Sequence, residues 1–133
     1  MIFHQDSFQK HDFSSDHVQK YLTASKRDLR IARASNIPEV RFQFAYNALI
    51  KLGISLVANA GYRVRSNAGH HMHVINATSS ILQDREIYTF GNKMRQLRNM
   101  NMYEGYIMIS KKDSNEYLQF VEKVLKQTQK SLG

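Results

Sequence analysis

The chain reads as an all-α domain, a four- to five-helix bundle, and three observations predict it. Apolar residues recur at three- and four-residue spacing through several long successive stretches. Serine, aspartate, proline and glycine fall between those stretches, where helix starts and stops need them. No strictly alternating run, internal repeat or low-complexity segment breaks the pattern, so no β-strand is expected.

At 133 residues, 42% hydrophobic and 23% charged, the chain suits one domain with a single core. It has no cysteine, which excludes disulfides and thiolate metal sites and points to a reducing, cytoplasmic setting. The most apolar run, residues 45–60, is interrupted by Asn47, Lys51, Gly53, Ser55 and Asn59, so it reads as a buried helix and not a membrane span. The N-terminus lacks the basic and apolar regions of a secretory signal. A net charge of +8 and a pI near 9.8 favour polyanionic partners. The basic residues are spread through predicted helices and form no disordered tail.

Residues 1–13 show no period and carry Phe3, Phe8 and Phe13; they form an arm that is loosely ordered or docks on the domain of residues 14–133. Ser14, Ser15 and Asp16 supply capping chemistry for a first helix running to about Ala34, with Val18, Tyr21, Leu22, Leu29 and Ala32 inward. Lys20, Lys26, Arg27, Arg30 and Arg33 form its solvated basic face. Pro38 and Glu39 suit the first turn of a second helix. Its wide stripe of Phe42, Ala45, Tyr46, Leu49, Leu52, Leu56 and Val57 makes it the central buried element, ending at Gly61.

Residues 62–69 read as a basic loop. Gly69, His70, His71 and His73 then open a third helix running to about Gln83. Three histidines raise a metal site, but His70 and His73 fall on one helical face, His71 points elsewhere, and no carboxylate completes a shell; no metal or cofactor is expected. A fourth helix begins near Asp84 with Ile87, Phe90, Met94 and Leu97 inward, and its apolar series lands on polar Asn101. Gly105 ends or kinks it, and Lys111 and Lys112 suit its C-terminal dipole end. Asp113 and Glu116 read as the capping box of a fifth helix carrying Tyr117, Phe120, Val121, Val124, Leu125 and Leu132.

Residues 95–106 gather two arginines, two asparagines and two tyrosines. On a helix Arg95, Asn99 and Tyr103 form one ridge, and Arg98, Met102 and Tyr106 the next. Guanidinium, amide and phenol groups on one face suit an anionic, hydrogen-bonding partner such as a phosphate. The alternative is a solvated helix face with interspersed aromatics.

With the first helix's Ala24, Lys26, Arg27, Asp28, Leu29 and Ala32, then Ala45, Tyr46, Asn47, Ala48 and Leu49, then Gly61, Tyr62 and Arg63, then Gly69, His70 and His71, the chain resembles the HEPN superfamily of helical domains. The resemblance covers roughly residues 14–128. That family's diagnostic element is an arginine, often followed by a polar residue, with a histidine four to six residues after the arginine. Arg98 and Asn99 match its start, and Tyr103 stands in the histidine's place.

The resemblance implies a homodimer whose cleft holds Arg98, Asn99 and Tyr103 as catalytic residues, with Arg95 and Tyr106 as substrate-binding neighbours. It implies an RNA-directed protein, a metal-independent ribonuclease in active members, forming one half of a toxin–antitoxin-like pair with a nucleotidyltransferase. It also raises modification of Tyr103 by that partner. Because phenols titrate near ~10 and imidazoles near ~6.5, Tyr103 is a poor general base at neutral pH. Both a ribonuclease and a non-enzymatic dimer, acting as a regulatory or nucleotide- or protein-binding module, therefore remain open. A histidine from elsewhere in the fold could stand in spatially, which spacing alone does not establish.

Overall fold

The computed structural model describes residues 2–67, 69–104 and 109–133, with the side chains of 101–104 outside the description. Five helices follow in order: α1 (Ser15–Ala34), α2 (Pro38–Asn59), α3 (His70–Leu82), α4 (Arg85–Glu104) and α5 (Lys111–Leu132). The expected helical bundle is the architecture found. Two three-residue strands, β1 (Phe8–Lys10) and β2 (Tyr62–Val64), add to it an antiparallel hairpin that the sequence reading lacked, with Phe8 opposite Val64 and Lys10 opposite Tyr62.

Each helix start has a chemical cause. Ser14 caps α1, its hydroxyl accepting the His17 amide at 3.2 Å. Pro38 opens α2, where its missing N–H costs nothing. Asp84 accepts the Glu86 amide at 3.0 Å through one carboxylate oxygen, and the Gln127 side chain at 2.9 Å through the other. The Gln127 hydrogen bond is the main reason its carboxyl lies below the usual range. At α5 the expectation is corrected: Ser110 is the cap, accepting the Asp113 amide at 3.0 Å, so the helix begins earlier than the Asp113 reading placed it. Lys111 and Lys112 therefore lie in the first turn of α5, not at the end of α4. Asp113 in the same turn offsets their unfavourable dipole position. Gly105 lies outside the described residues, as does the Asn101 side chain.

α2 is the central element and packs on α1, α5 and α3, while α4 lies chiefly on α3. Leu29, Leu52, Ile87, Met94 and Val121, from four different helices beside α3, are completely or almost completely buried in one core. Helix approach is closest at two glycines. A methyl group on Gly53 would meet Thr78 Oγ1 and Val74 Cγ1 at 2.5 Å, and one on Gly91 would meet Ile75 Cγ2 at 2.7 Å. Both glycines bring their helices against α3, so they set where its N-terminus sits relative to α4.

Arg41 closes the end of α1, donating to the carbonyls of Ala32 at 3.1 Å and Ser35 at 2.7 Å and to the Asn115 side chain on α5. Lys51 reaches the buried Asp28 at 2.6 Å and ties α2 to α1. Of the basic face expected on α1, Lys20, Arg27, Arg30 and Arg33 are exposed, whereas Lys26 is half-buried.

The arm docks. Phe3 and Phe8 are buried in a second, smaller cluster with Val57 and Ala77, and Phe3 stacks on Tyr62 at 4.3 Å. The supposed basic loop is the strand that receives it. Arg63 donates to Gln9 at 2.8 Å and Arg65 to the Gln5 carbonyl at 2.7 Å, so these guanidiniums bind the arm. No described helix is long and apolar enough to cross a membrane.

Candidate functional site

The described part of residues 95–106 forms one wall of a small cavity. Arg95, Arg98 and Asn99 of α4 line it together with Gly69, His70 and His71 at the start of α3, around a space of about 150 Å³. The spacing of the α4 residues explains their convergence, since positions three and four apart share a helical face. The two arginines and Asn99 are half-buried rather than splayed into solvent. Among the described residues no carboxylate lines the cavity, so none of them supplies its positive charge with a counter-ion there.

The α3 side adds two features favourable to an anion. Gly69 occupies the N-cap position in the left-handed region, at φ 81, and offers no side chain to the helix's first amides. The His70 amide donates to the Asn67 carbonyl at 3.2 Å, and among the described residues no side chain caps the positive end of the helix dipole against an external acceptor. His70 and His71 also come together here, their rings 4.5 Å apart. This corrects the face assignment made from ideal helical geometry. His70 starts the helix and turns toward the Asn67 carbonyl at 3.2 Å, whereas His73 faces the arm, 3.3 Å from the Ser7 hydroxyl.

Behind His71 lies Tyr46, which sequence reasoning placed in the apolar stripe of α2 and did not nominate for the site. It is 1% exposed, and its hydroxyl sits 2.9 Å from His71 Nδ1. Burial pushes the Tyr46 phenol up to about 12, against the lowering influence of Arg98 and Arg95. Burial, followed by the charges of His70, Arg98 and Arg95, takes the His71 imidazole down to about 4. Both groups are neutral at pH 7.

That pairing selects a tautomer. A buried phenol needs an acceptor for its proton, and His71 Nδ1 is its hydrogen-bond partner among the described residues. Tyr46 therefore donates, Nδ1 accepts, and Nε2 carries the imidazole proton. His71, which lines the cavity, thus carries one neutral N–H donor. The signal available in the sequence was a tyrosine within the apolar stripe of a buried helix, whose polar tip must find a partner.

Arg95 is held in place from behind. Its Nε donates to Asn92 Oδ1 at 3.2 Å, and Asn92 Nδ2 donates in turn to Asn76 Oδ1 at 3.0 Å. Among the described residues the terminal nitrogens of the guanidinium have no hydrogen-bond partner. Of the other site residues nominated from sequence, the Tyr103 side chain and all of Tyr106 lie outside the described residues. Among the described residues no group of three histidine, aspartate or glutamate side chains gathers to hold a metal ion.

The arrangement can bind an oxyanion through two guanidiniums, a neutral imidazole N–H, a side-chain amide and helix-start amides. Comparison with known proteins yields no match to a family model, a curated protein or a solved structure.

Proposed function

We propose that the chain is a HEPN-like, RNA-directed protein whose cleft binds a phosphate of the RNA backbone. One observation carries this reading: α4 brings Arg95, Arg98 and Asn99 to the same cavity as His70 and His71, with no carboxylate among them. Arg98 and Arg95 hold the phosphate, Asn99 orients it, and His71 Nε2–H donates to an oxygen. The resemblance assigns Tyr103 and Tyr106, whose side chains lie outside the described residues, to catalysis and substrate binding. The HEPN resemblance adds a homodimer and a nucleotidyltransferase partner.

In a ribonuclease the guanidiniums would stabilise the charge that develops on the phosphorane, and a base would take the proton of the attacking 2′-hydroxyl. In the ground-state tautomer set by Tyr46, His71 is not that base. This favours a second reading in which the cleft binds RNA without cutting it. Labelled RNA incubated with the wild type, Arg98→Ala and Tyr103→His separates the two. Cleavage that falls by about 10²–10³ in Arg98→Ala, on the scale of a lost oxyanion donor, supports the enzyme. Cleavage gained only in Tyr103→His supports the binding module. Equal cleavage by wild type and Arg98→Ala contradicts the assignment of Arg98.

A further inference from the structure

A second and larger cavity adjoins the first. Its space of about 500 Å³ is lined by Met72 and Asn76 of α3 and by Tyr88, Asn92, Arg95 and Gln96 of α4, among others. Arg95 lines both cavities, so the two form one groove between α3 and α4. The smaller space suits a phosphate with part of a sugar. The larger falls within the roughly 300–1,000 Å³ typical of small-molecule sites.

The chemistry changes along the groove. Both carry cations, Arg95 and Arg98 in the smaller cavity and Arg95 and Lys93 in the larger, but only the larger adds an aromatic phenol ring and several side-chain amides. Tyr88 is 54% exposed, which leaves its ring accessible at the wall of the cavity. Asn92 is already committed, accepting from Arg95 and donating to Asn76 and to the Tyr88 carbonyl. Asn76 and Gln96 add amide groups at the wall, suited to the polar edge of a base. An exposed ring, amide edges and an arginine at the boundary with an anion pocket match the requirements of one unpaired nucleotide.

We propose that this larger cavity is a nucleoside subsite, in which a base of a single-stranded RNA stacks on Tyr88 while the adjoining phosphate is held by Arg95 and Arg98. The inference rests on the phosphate-binding reading of the smaller cavity and adds to it what lies beside the phosphate. Stacking on one aromatic ring is tolerant of base identity, so the subsite discriminates the presence of a base rather than its sequence.

The test compares the binding of a hexa-adenylate RNA with that of an abasic phosphodiester hexamer of the same charge, by calorimetry on the full chain. The adenylate is expected to bind roughly 5- to 150-fold tighter, the range for one base–aromatic stack. Tyr88→Ala is expected to erase that ratio and leave abasic binding within about twofold. Tyr88→Phe keeps the ratio, because the ring and not the hydroxyl stacks. An equal affinity for the two oligomers, or a ratio that survives Tyr88→Ala, overturns the subsite while leaving the phosphate pocket standing. Abasic binding unaffected by Arg95→Ala and Arg98→Ala overturns the phosphate reading and the subsite with it. Tyr88→Ala that shifts only the elution volume of the protein, with the ratio unchanged, assigns Tyr88 to a contact between copies and also overturns the subsite.

Discussion

At neutral pH the His71 ring is uncharged, because burial and the nearby His70, Arg98 and Arg95 make its cation costly. The sign of the consequence for stability follows from comparing folded and unfolded chains. In the unfolded chain the imidazole takes up its proton near ~6.5, whereas in the folded chain it does so near about 4. Between these values the unfolded state binds more protons, so stability is intact above the unfolded value and declines as pH falls through the window. Thermal melts from pH 7 to pH 4 should show a falling midpoint that His71→Gln flattens. A wild-type and a variant that fall in parallel would contradict it. Tyr46 acts at the other end: its phenol is held up at about 12, so stability declines as pH rises beyond ~10, where the unfolded phenol ionises. An NMR titration of the His71 ring with a midpoint near 6.5 would contradict the buried Tyr46–His71 pair altogether.

At the scale of elements, the helices were legible because their signals are local. Leu29, Ile87, Met94 and Val121 sit at helical spacing and are all essentially unexposed in the core. Ser14 and Pro38 mark helix starts by chemistry that needs no tertiary contact. The hairpin was not legible, since β1 and β2 have three residues each, too few for a period of two to register. Tyr46 and His71 are 25 residues apart on different helices, so their bond is a consequence of packing that spacing cannot express. Arg95, Arg98 and Asn99 lie within one helical turn, which is why this part of the site could be nominated from sequence. The partnership of α3 with α4 also gives a direct stability prediction. Gly91→Ala places a methyl 2.7 Å from Ile75 Cγ2, and urea denaturation should register a loss of roughly 1–3 kcal/mol, the usual cost of overpacking. Phe8→Ala should cost about 3–5 kcal/mol, as for a core phenylalanine, if the arm is part of the cooperative fold. A change below ~0.5 kcal/mol, the range of an ordinary surface substitution, would instead mean that the arm opens independently.

For the whole molecule, the net charge of +8 does not by itself select a site, because exposed arginines on α1 and the cavity arginines on α4 contribute alike to it. What separates them is surroundings. Arg33 pairs with Glu122 across α1 and α5 at 3.1 Å, and Arg63 and Arg65 are committed to the arm. The cavity arginines are half-buried, lie beside two histidines and a helix start, and face no carboxylate among the described residues that line the cavity. Binding of single-stranded RNA should therefore weaken with salt, and each phosphate contact removed should reduce the log–log slope by about 0.7. The anisotropy of a labelled single-stranded RNA at fixed salt, with wild type, Arg98→Ala and the exposed-face control Arg27→Ala, distinguishes a phosphate site between α3 and α4 from general attraction to a basic surface. Arg98→Ala should lose about 10-fold or more in affinity, on the scale of a charge-assisted hydrogen bond, and Arg27→Ala should change it by no more than about twofold. Equal losses in the two variants would mean that RNA is attracted by overall charge alone, and would contradict a site between α3 and α4.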